Sequence, residues 1–177
     1  MDHTLIIGLG NPDPTLENTY HNVGTLAVQW IAEHSANGDT PKFRTHKDSF
    51  KYIKTATYTL IRPLVFMNES GRAVKDAIHI FGGGIKNIVI IHDDSDIPVG
   101  EFKRVMGGGS AGHNGIRSII DHLGTEEFAR IRIGIREKEE AHRKKAGDFV
   151  LSPITPAEKK AFEEVFEKIS TSFPSNV

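Results

Sequence analysis

Cysteine is absent from all 177 residues. That removes structural disulfides, zinc–thiolate sites and thiol nucleophiles at once, and it suits a reducing compartment. Long apolar runs are absent too. No stretch approaches the ~20 apolar residues of a membrane span. The apolar run at residues 5–7 is too short for a signal peptide and has no basic flank before it. A soluble, cytoplasmic protein is the expectation. An excess of one charge is also missing: 22 Lys and Arg stand against 23 Asp and Glu, a net charge of −1. Overall charge therefore does not mark a nucleic-acid binder. One stretch departs from the balance. Residues 130–145 hold seven basic side chains (Arg130, Arg132, Arg136, Lys138, Arg143, Lys144, Lys145) and three acidic ones (Glu137, Glu139, Glu140). Such a patch suits phosphate contacts, and it equally suits a solvated loop.

What is present is an alternation of strand-like and helix-like patterns, in a length that suits one domain over residues 1–177. A chain of this size buries roughly 70% of its unfolded surface and needs no staples. Leu5-Ile6-Ile7-Gly8-Leu9 reads as a buried strand stopped by Gly10-Asn11-Pro12. Val23, Leu26, Ala27, Trp30 and Ile31 recur at helical spacing, which puts His21 and Asn22 at that helix's N-terminal end. Residues 49–56 and 57–65 read as two strands, with Arg62-Pro63 at an edge or a strand end. Val74, Ala77, Ile78 and Phe81 form a second helical stripe, broken by Gly82-Gly83-Gly84. Ile88-Val89-Ile90-Ile91 is apolar throughout, as at a sheet centre. Residues 101–106 suit another strand. Ile116, Ile119, Ile120 and Leu123 mark a third helix, ended by Gly124. Residues 130–135 alternate with period two, and residues 137–147 read as a mobile charged loop. Thr155-Pro156-Ala157-Glu158 is a capping box with proline at the first helical position, ahead of a last helix carrying Ala161, Phe162, Val165, Phe166 and Ile169. Strands alternating with helices predict an α/β fold with a mixed, mostly parallel sheet.

In such a sheet the crevice lies beyond the carboxyl ends of the strands. Polar segments follow the apolar runs there: Gly10-Asn11-Pro12, Phe66-Met67-Asn68 and His92-Asp93-Asp94-Ser95-Asp96, with Gly112-His113-Asn114-Gly115 opening a helix. Gly8-x-Gly10 is no dinucleotide fingerprint, since Asp13 takes the third glycine position and Pro12 and Pro14 spoil the helix start. No Gly-Lys-Ser/Thr forms a P-loop. Gly107-Gly108-Gly109 reads as a flexible loop beside the cleft. Of nine histidines, His21 is the best general-base candidate, because Asp93 ends a neighbouring strand and can orient one imidazole nitrogen. No serine in a nucleophile-elbow sequence accompanies the pair, so the nucleophile would be water. Asn11, Asn68 and Asn114 can each donate and accept hydrogen bonds without charge, to read a substrate or stabilise an oxyanion. A buried amide at a strand end can as well satisfy a turn. Asp93, Asp94 and Asp96 could instead hold Mg²⁺, although neighbours on an extended chain point to opposite sides. His92 and His113 read mainly as strand-end and helix-start residues.

Together these segments resemble the bacterial-type peptidyl-tRNA hydrolase family. The resemblance rests on Leu9-Gly10-Asn11-Pro12, His21-Asn22-Val23-Gly24, Pro63 with Phe66-Met67-Asn68 and Ser70-Gly71, His92-Asp93-Asp94 with Asp96, and Gly112-His113-Asn114-Gly115, in that order and spacing. Weaker similarity runs through residues 128–135 and 149–151. It implies a monomeric three-layer α/β/α globule that needs no metal or cofactor. It implies cleavage of the ester between a peptide and the 3′-terminal ribose of tRNA. His21 would be the general base, Asp93 its orienting partner, and Asn11 the reader of a blocked α-amino group. Phe66, Met67, Asn68, His113 and Asn114 would line the cleft for peptide and terminal adenosine. Leu16, Lys103, Arg104, Arg132, Arg143, Lys144 and Lys145 complete the expected tRNA-binding set. The loop after residue 100 and the loop of residues 137–147 resemble a gate and a lid. Two departures stand out: Leu16 replaces a tyrosine associated with tRNA contact, and Tyr20 replaces an arginine. Tyr20 could supply the missing ring. Residues 101–106 are also less basic than is usual in the family. Two rival readings stay open: a non-catalytic RNA-binding relative, and a Mg²⁺-dependent phosphohydrolase built on Asp93, Asp94 and Asp96.

Overall fold

Alternation within the apolar runs builds two cores, one on each face of a single sheet. The computed structural model describes residues 3–35, 42–137, 147 and 149–173. Its strands are β1 (Thr4–Gly8), β2 (Arg44–His46), β3 (Phe50–Lys54), β4 (Tyr58–Pro63), β5 (Ile88–Pro98), β6 (Phe102–Met106) and β7 (Ala129–Arg136). Its helices are α1 (Val23–His34), α2 (Ser70–Phe81), α3 (Asn114–Leu123) and α4 (Pro156–Ser170). Leu5 and Ile7 of β1 pack with Ile88 and Ile90 of β5, against Val74 and Ala77 of α2 and Ile116 and Ile119 of α3. Ile6, one residue out of phase, joins Leu60 and Ile91 on the other face, against Val23, Ala27 and Ile31 of α1 and Phe162 and Val165 of α4. Helices on both faces make three layers. Each such fully buried isoleucine or leucine stabilises the fold by about 1.5–3 kcal/mol relative to exposure.

The strand order is β2-β3-β4-β1-β5-β7-β6. β1 runs parallel to β4 and β5, and β5 runs parallel to β7. β3 is antiparallel to both β4 and β2, and β6 is antiparallel to β7. After two reversals β2 points the same way as β4, so only β3 and β6 oppose the rest. The sheet is thus mixed, as the alternation predicts: its centre, β4-β1-β5-β7, is parallel, and antiparallel pairings flank it on both sides. Pro63 sits at the end of β4, where a missing N–H costs least. The capping box at Thr155 and Glu158 opens α4, and Gly124 ends α3 in the left-handed region with φ 69°. No helix among the described residues is long and apolar enough to cross a membrane.

Two features carry this frame to the cleft. First, β5 does not stop after Ile91. It continues as strand through His92-Asp93-Asp94 to Pro98, with a register shift against β7 between Asp94 and Pro98. Second, α1 presses its first turn onto the strand ends. A Cβ on Gly8 would lie 2.1 Å from the Gly24 carbonyl oxygen, and a Cβ on Gly24 would lie 2.2 Å from that of Ile91. Only glycine permits this close backbone approach. It sets the 3-10 turn Tyr20–Asn22, directly before α1, beside Asp93.

Candidate active site

Asp93 is the centre of the site. It is 4% exposed, and its Oδ1 accepts two hydrogen bonds, from His21 Nδ1 at 2.9 Å and from His113 Nε2 at 3.0 Å. The tautomer of His113 follows from its other nitrogen. His113 is the N-cap of α3, and its Nδ1 accepts from the backbone N–H groups of Gly115 and Ile116. That nitrogen is therefore unprotonated, and Nε2 carries the hydrogen given to Asp93. His21 likewise gives its Nδ1 hydrogen to Asp93, which leaves Nε2 as a lone-pair base with no partner among the described residues. Burial disfavours a charged imidazole here, but the Asp93 charge and hydrogen bond outweigh it, and the His21 pKa is raised above its ordinary value. Burial also opposes the Asp93 charge, yet His113 and His21 hold its carboxyl well below the usual carboxylate range. His92, buried beneath, gives its Nδ1 hydrogen to the Asp93 carbonyl at 2.8 Å. Burial pushes its pKa well down, so it stays neutral.

Around this centre the four polar segments close into a ring. The Asn22 side chain grips the Asn11 backbone twice: Oδ1 accepts from Asn11 N at 2.8 Å, and Nδ2 donates to Asn11 O at 3.0 Å. The Asn11 side chain reaches on, its Oδ1 accepting from Met67 N at 2.9 Å. Asn11 Nδ2 is left as an uncommitted donor among the described residues. Met67 is buried against the first turn of α3, where a Cβ on Gly115 would meet its Sδ at 2.5 Å. Asn114 then leads back through His113 to Asp93. Phe66, Asn68 and Asn114 are exposed on the rim, Phe66 at 55%. Sequence reasoning singled out Asn11 and His21 but missed the tasks of Asn22 and of His113 toward Asp93. The position of each at a helix start was visible, and its partner was not.

The acidic segment divides by strand alternation. Asp94 turns away from Asp93 and pairs with Arg132, whose Nε lies 2.5 Å from Asp94 Oδ2, while Asp94 Oδ1 accepts from Asp96 N. The three carboxylates do not converge among the described residues; the only cluster there with the donor set of a metal site is His21, Asp93 and His113. Its hydrogen bonds argue against a metal. His113 Nδ1 is occupied as an acceptor, so Nε2 cannot offer a lone pair while the imidazole is neutral.

A cleft of about 460 Å³ opens over this centre, lined by His21, Asp93, His113, Asn114, Arg132 and Val150 among others. Lys103 lies opposite Arg132 across the β6–β7 pair, on the cleft face of the sheet. Arg104, one residue on, points to the other face, where it sits 5.3 Å over the Phe173 ring and bonds Ser172. Neither Lys103 nor Arg104 lines the cleft itself, and only Lys103 lies on its side of the sheet. Leu16 ends a short 3-10 turn and is half-buried. Tyr20 does not offer its ring to a substrate. It is 6% exposed, packs edge-on to Phe149 and Phe162, and donates its hydroxyl to Glu158. The glycine run expected as a free loop is tied to Arg130, whose guanidinium bonds the carbonyls of Gly107, Gly108 and Gly109. Arg143, Lys144 and Lys145, with most of the expected lid, lie outside the described residues.

Comparison with known proteins agrees with this fold. A family model for peptidyl-tRNA hydrolase matches residues 5–176. The chain is 39% identical over 161 residues to the peptidyl-tRNA hydrolase of Geobacillus thermodenitrificans, covering 90% of this chain and 85% of the relative. The corresponding protein of Ligilactobacillus salivarius is 37% identical over 161 residues, with the same coverage. That of Mycobacterium tuberculosis is 36% identical over 169 residues, covering 93% of this chain and 85% of the relative. The crystal structure of peptidyl-tRNA hydrolase from Acinetobacter baumannii matches with a TM-score of 0.79 at 27% identity, over 95% of this chain and 85% of that one. The chain belongs to the peptidyl-tRNA hydrolase family.

Proposed function

We propose that this chain hydrolyses the ester between a peptide, or an N-blocked amino acid, and the 3′-terminal ribose of tRNA. The observation that carries the reading is the 2.9 Å bond from His21 Nδ1 to Asp93, which leaves Nε2 free at the cleft. Nε2 takes a proton from water as the water oxygen bonds the ester carbonyl carbon. The amides of Asn68 and Asn114 at the rim are the candidate donors to the oxyanion that forms. The intermediate then collapses, the bond to the ribose oxygen breaks, and that oxygen takes the proton back from His21. A free hydroxyl remains on the tRNA, and the peptide leaves as a carboxylic acid that gives its proton to solvent. Asp93 holds the imidazole in the productive tautomer and stabilises the imidazolium, and His113 holds Asp93.

In this reading Asn11 Nδ2 reports on the α-nitrogen of the substrate, and Phe66 and Met67 flank the peptide and terminal adenosine. Lys103 and Arg132, with Arg143, Lys144 and Lys145, meet phosphates of the acceptor stem. The side Arg104 faces argues against a phosphate contact there. The chain works as one domain and as a monomer in the cytoplasm, with no metal in any step. The test is release of N-acetyl-amino acid from N-acetyl-aminoacyl-tRNA, with and without EDTA. Turnover that EDTA leaves intact, and that falls about 10²–10⁴-fold in kcat in His21→Ala, is the expected result. Binding without turnover would favour an RNA-binding relative, and loss with EDTA a Mg²⁺-dependent enzyme.

A further inference from the structure

Arg130 sits in β7 between Ile90 of β5 and Val105 of β6, and is only 5% exposed. A buried guanidinium commonly faces a carboxylate. Here it faces three successive backbone carbonyls. Nη2 bonds Gly107 O, and bonds Gly108 O at 2.7 Å; Nη1 bonds Gly109 O at 3.0 Å. Successive carbonyls of an extended strand point to opposite sides, so the chain must turn to bring three of them to one group. Gly107 and Gly108 make that turn, with φ of 71° and 92°. A Cβ on Gly108 would stand 2.9 Å from Arg130 Nη2. The guanidinium and the glycines are therefore fitted to each other. The Phe128 ring, 5.9 Å away, covers the cation.

The clamped segment leads straight to the site. From Gly109 the chain turns through Ala111 and Gly112, both at positive φ, and His113 N bonds Ser110 O at 2.9 Å. Three residues separate the last clamped carbonyl, that of Gly109, from His113, whose imidazole holds Asp93. We propose that Arg130 is a positioning residue: by folding residues 107–109 onto β7 it sets where His113 meets Asp93, and so the aim of His21. Its charge is spent on the loop and does not meet tRNA phosphate. The inference rests on the hydrolase reading above. Turnover by the unmodified protein tests that reading, whereas the ratio of variant to parent tests this one.

The experiment compares Arg130→Met and Arg130→Lys in the full chain, assaying N-acetyl-aminoacyl-tRNA hydrolysis over a range of salt. Lysine keeps the charge but lacks the planar fork that spans three carbonyls. Hence kcat falls in both variants by about 10–100-fold, the usual consequence of a small misplacement near the chemistry. KM and its dependence on salt stay at the parental values. A merely structural arginine would lower the melting temperature and leave kcat alone in the folded protein. Parental kcat in either folded variant overturns the proposal. So does a salt slope flattened by about 0.7–0.9 in Arg130→Met, the signature of one phosphate no longer neutralised. Should Arg130→Met fail to fold, Gly108→Ala strains the same clamp from the loop side with the arginine intact. It is expected to lower kcat at unchanged salt slope, and parental kcat there overturns the proposal equally.

Discussion

Replacing Asp93 with asparagine removes one buried charge and little else. Both histidines donate to Oδ1, at 2.9 and 3.0 Å, and an asparagine oxygen can accept the same two bonds. Ring orientation should survive. What disappears is the charge facing the imidazolium, which forms when His21 takes the proton of water. A hydrogen bond to a charged group contributes about 1.5–3 kcal/mol, against about 0.5–1.5 for a neutral one. Two unit charges ~4 Å apart at an effective dielectric of ~20 interact by about 4 kcal/mol, which bounds the loss from above. A loss of about 2–4 kcal/mol in the transition state means kcat lower by about 30- to 1,000-fold. The pH profile separates this from a packing defect. The base must be neutral, and Asp93 raises the His21 pKa against the opposing effect of burial. The acidic limb of kcat/KM in the parent should therefore lie above the ordinary ~6.5. In Asp93→Asn burial acts unopposed, and the limb should move below that value. The assay is release of N-acetyl-amino acid from N-acetyl-aminoacyl-tRNA, parent and variant side by side. A limb that stays in place, or a variant as fast as the parent, refutes the reasoning.

Asn11→Ala leaves the Met67 N–H without its acceptor, at a cost of about 1–3 kcal/mol, and should narrow the preference for N-acetyl-aminoacyl-tRNA over aminoacyl-tRNA. Asn11→Asp keeps that acceptor and adds a charge that attracts an α-ammonium, so it should narrow the preference further while lowering the melting temperature less. Unchanged preference with a lowered melting temperature would make Asn11 structural. Charge removal at Arg143, Lys144 and Lys145 together should raise KM more than it lowers kcat. It should also flatten the salt dependence of binding by about 0.7–0.9 for each phosphate no longer neutralised, and an unchanged slope would mean solvated surface. The folded-state pKa of Asp93 is depressed, by the two histidines against burial, so its contribution to stability is present above about pH 4 and fades as pH falls below it. Thermal unfolding followed with pH should therefore lose part of its acid sensitivity in Asp93→Asn, and identical profiles would exclude this.

The family was legible in the sequence because its polar segments keep their order and spacing. The elements were legible because their signals are local. A two-residue period marks β7, a 3.6-residue period marks α1 and α3, and Thr155 with Glu158 caps α4 within four residues of chain. β2 carries no such signal, since Arg44-Thr45-His46 is three polar residues held only by pairing with β3. The candidate base was legible for a similar reason: His21 starts a helix and Asp93 lies just past an apolar run. Partners were not. Whether Arg104 or Lys103 faces the cleft depends on the side from which β7 meets β6. Arg130 and Arg132 share one face of β7, yet one is claimed by glycine carbonyls from the β6–α3 loop and the other by Asp94 of β5. His113 meets Asp93 only because that loop returns across the middle of β5. Side-chain type and period are properties of neighbours in the chain, so they decide which face a residue takes. The group it meets there depends on the order of strands in the sheet. Only the packing of the whole chain settles that order.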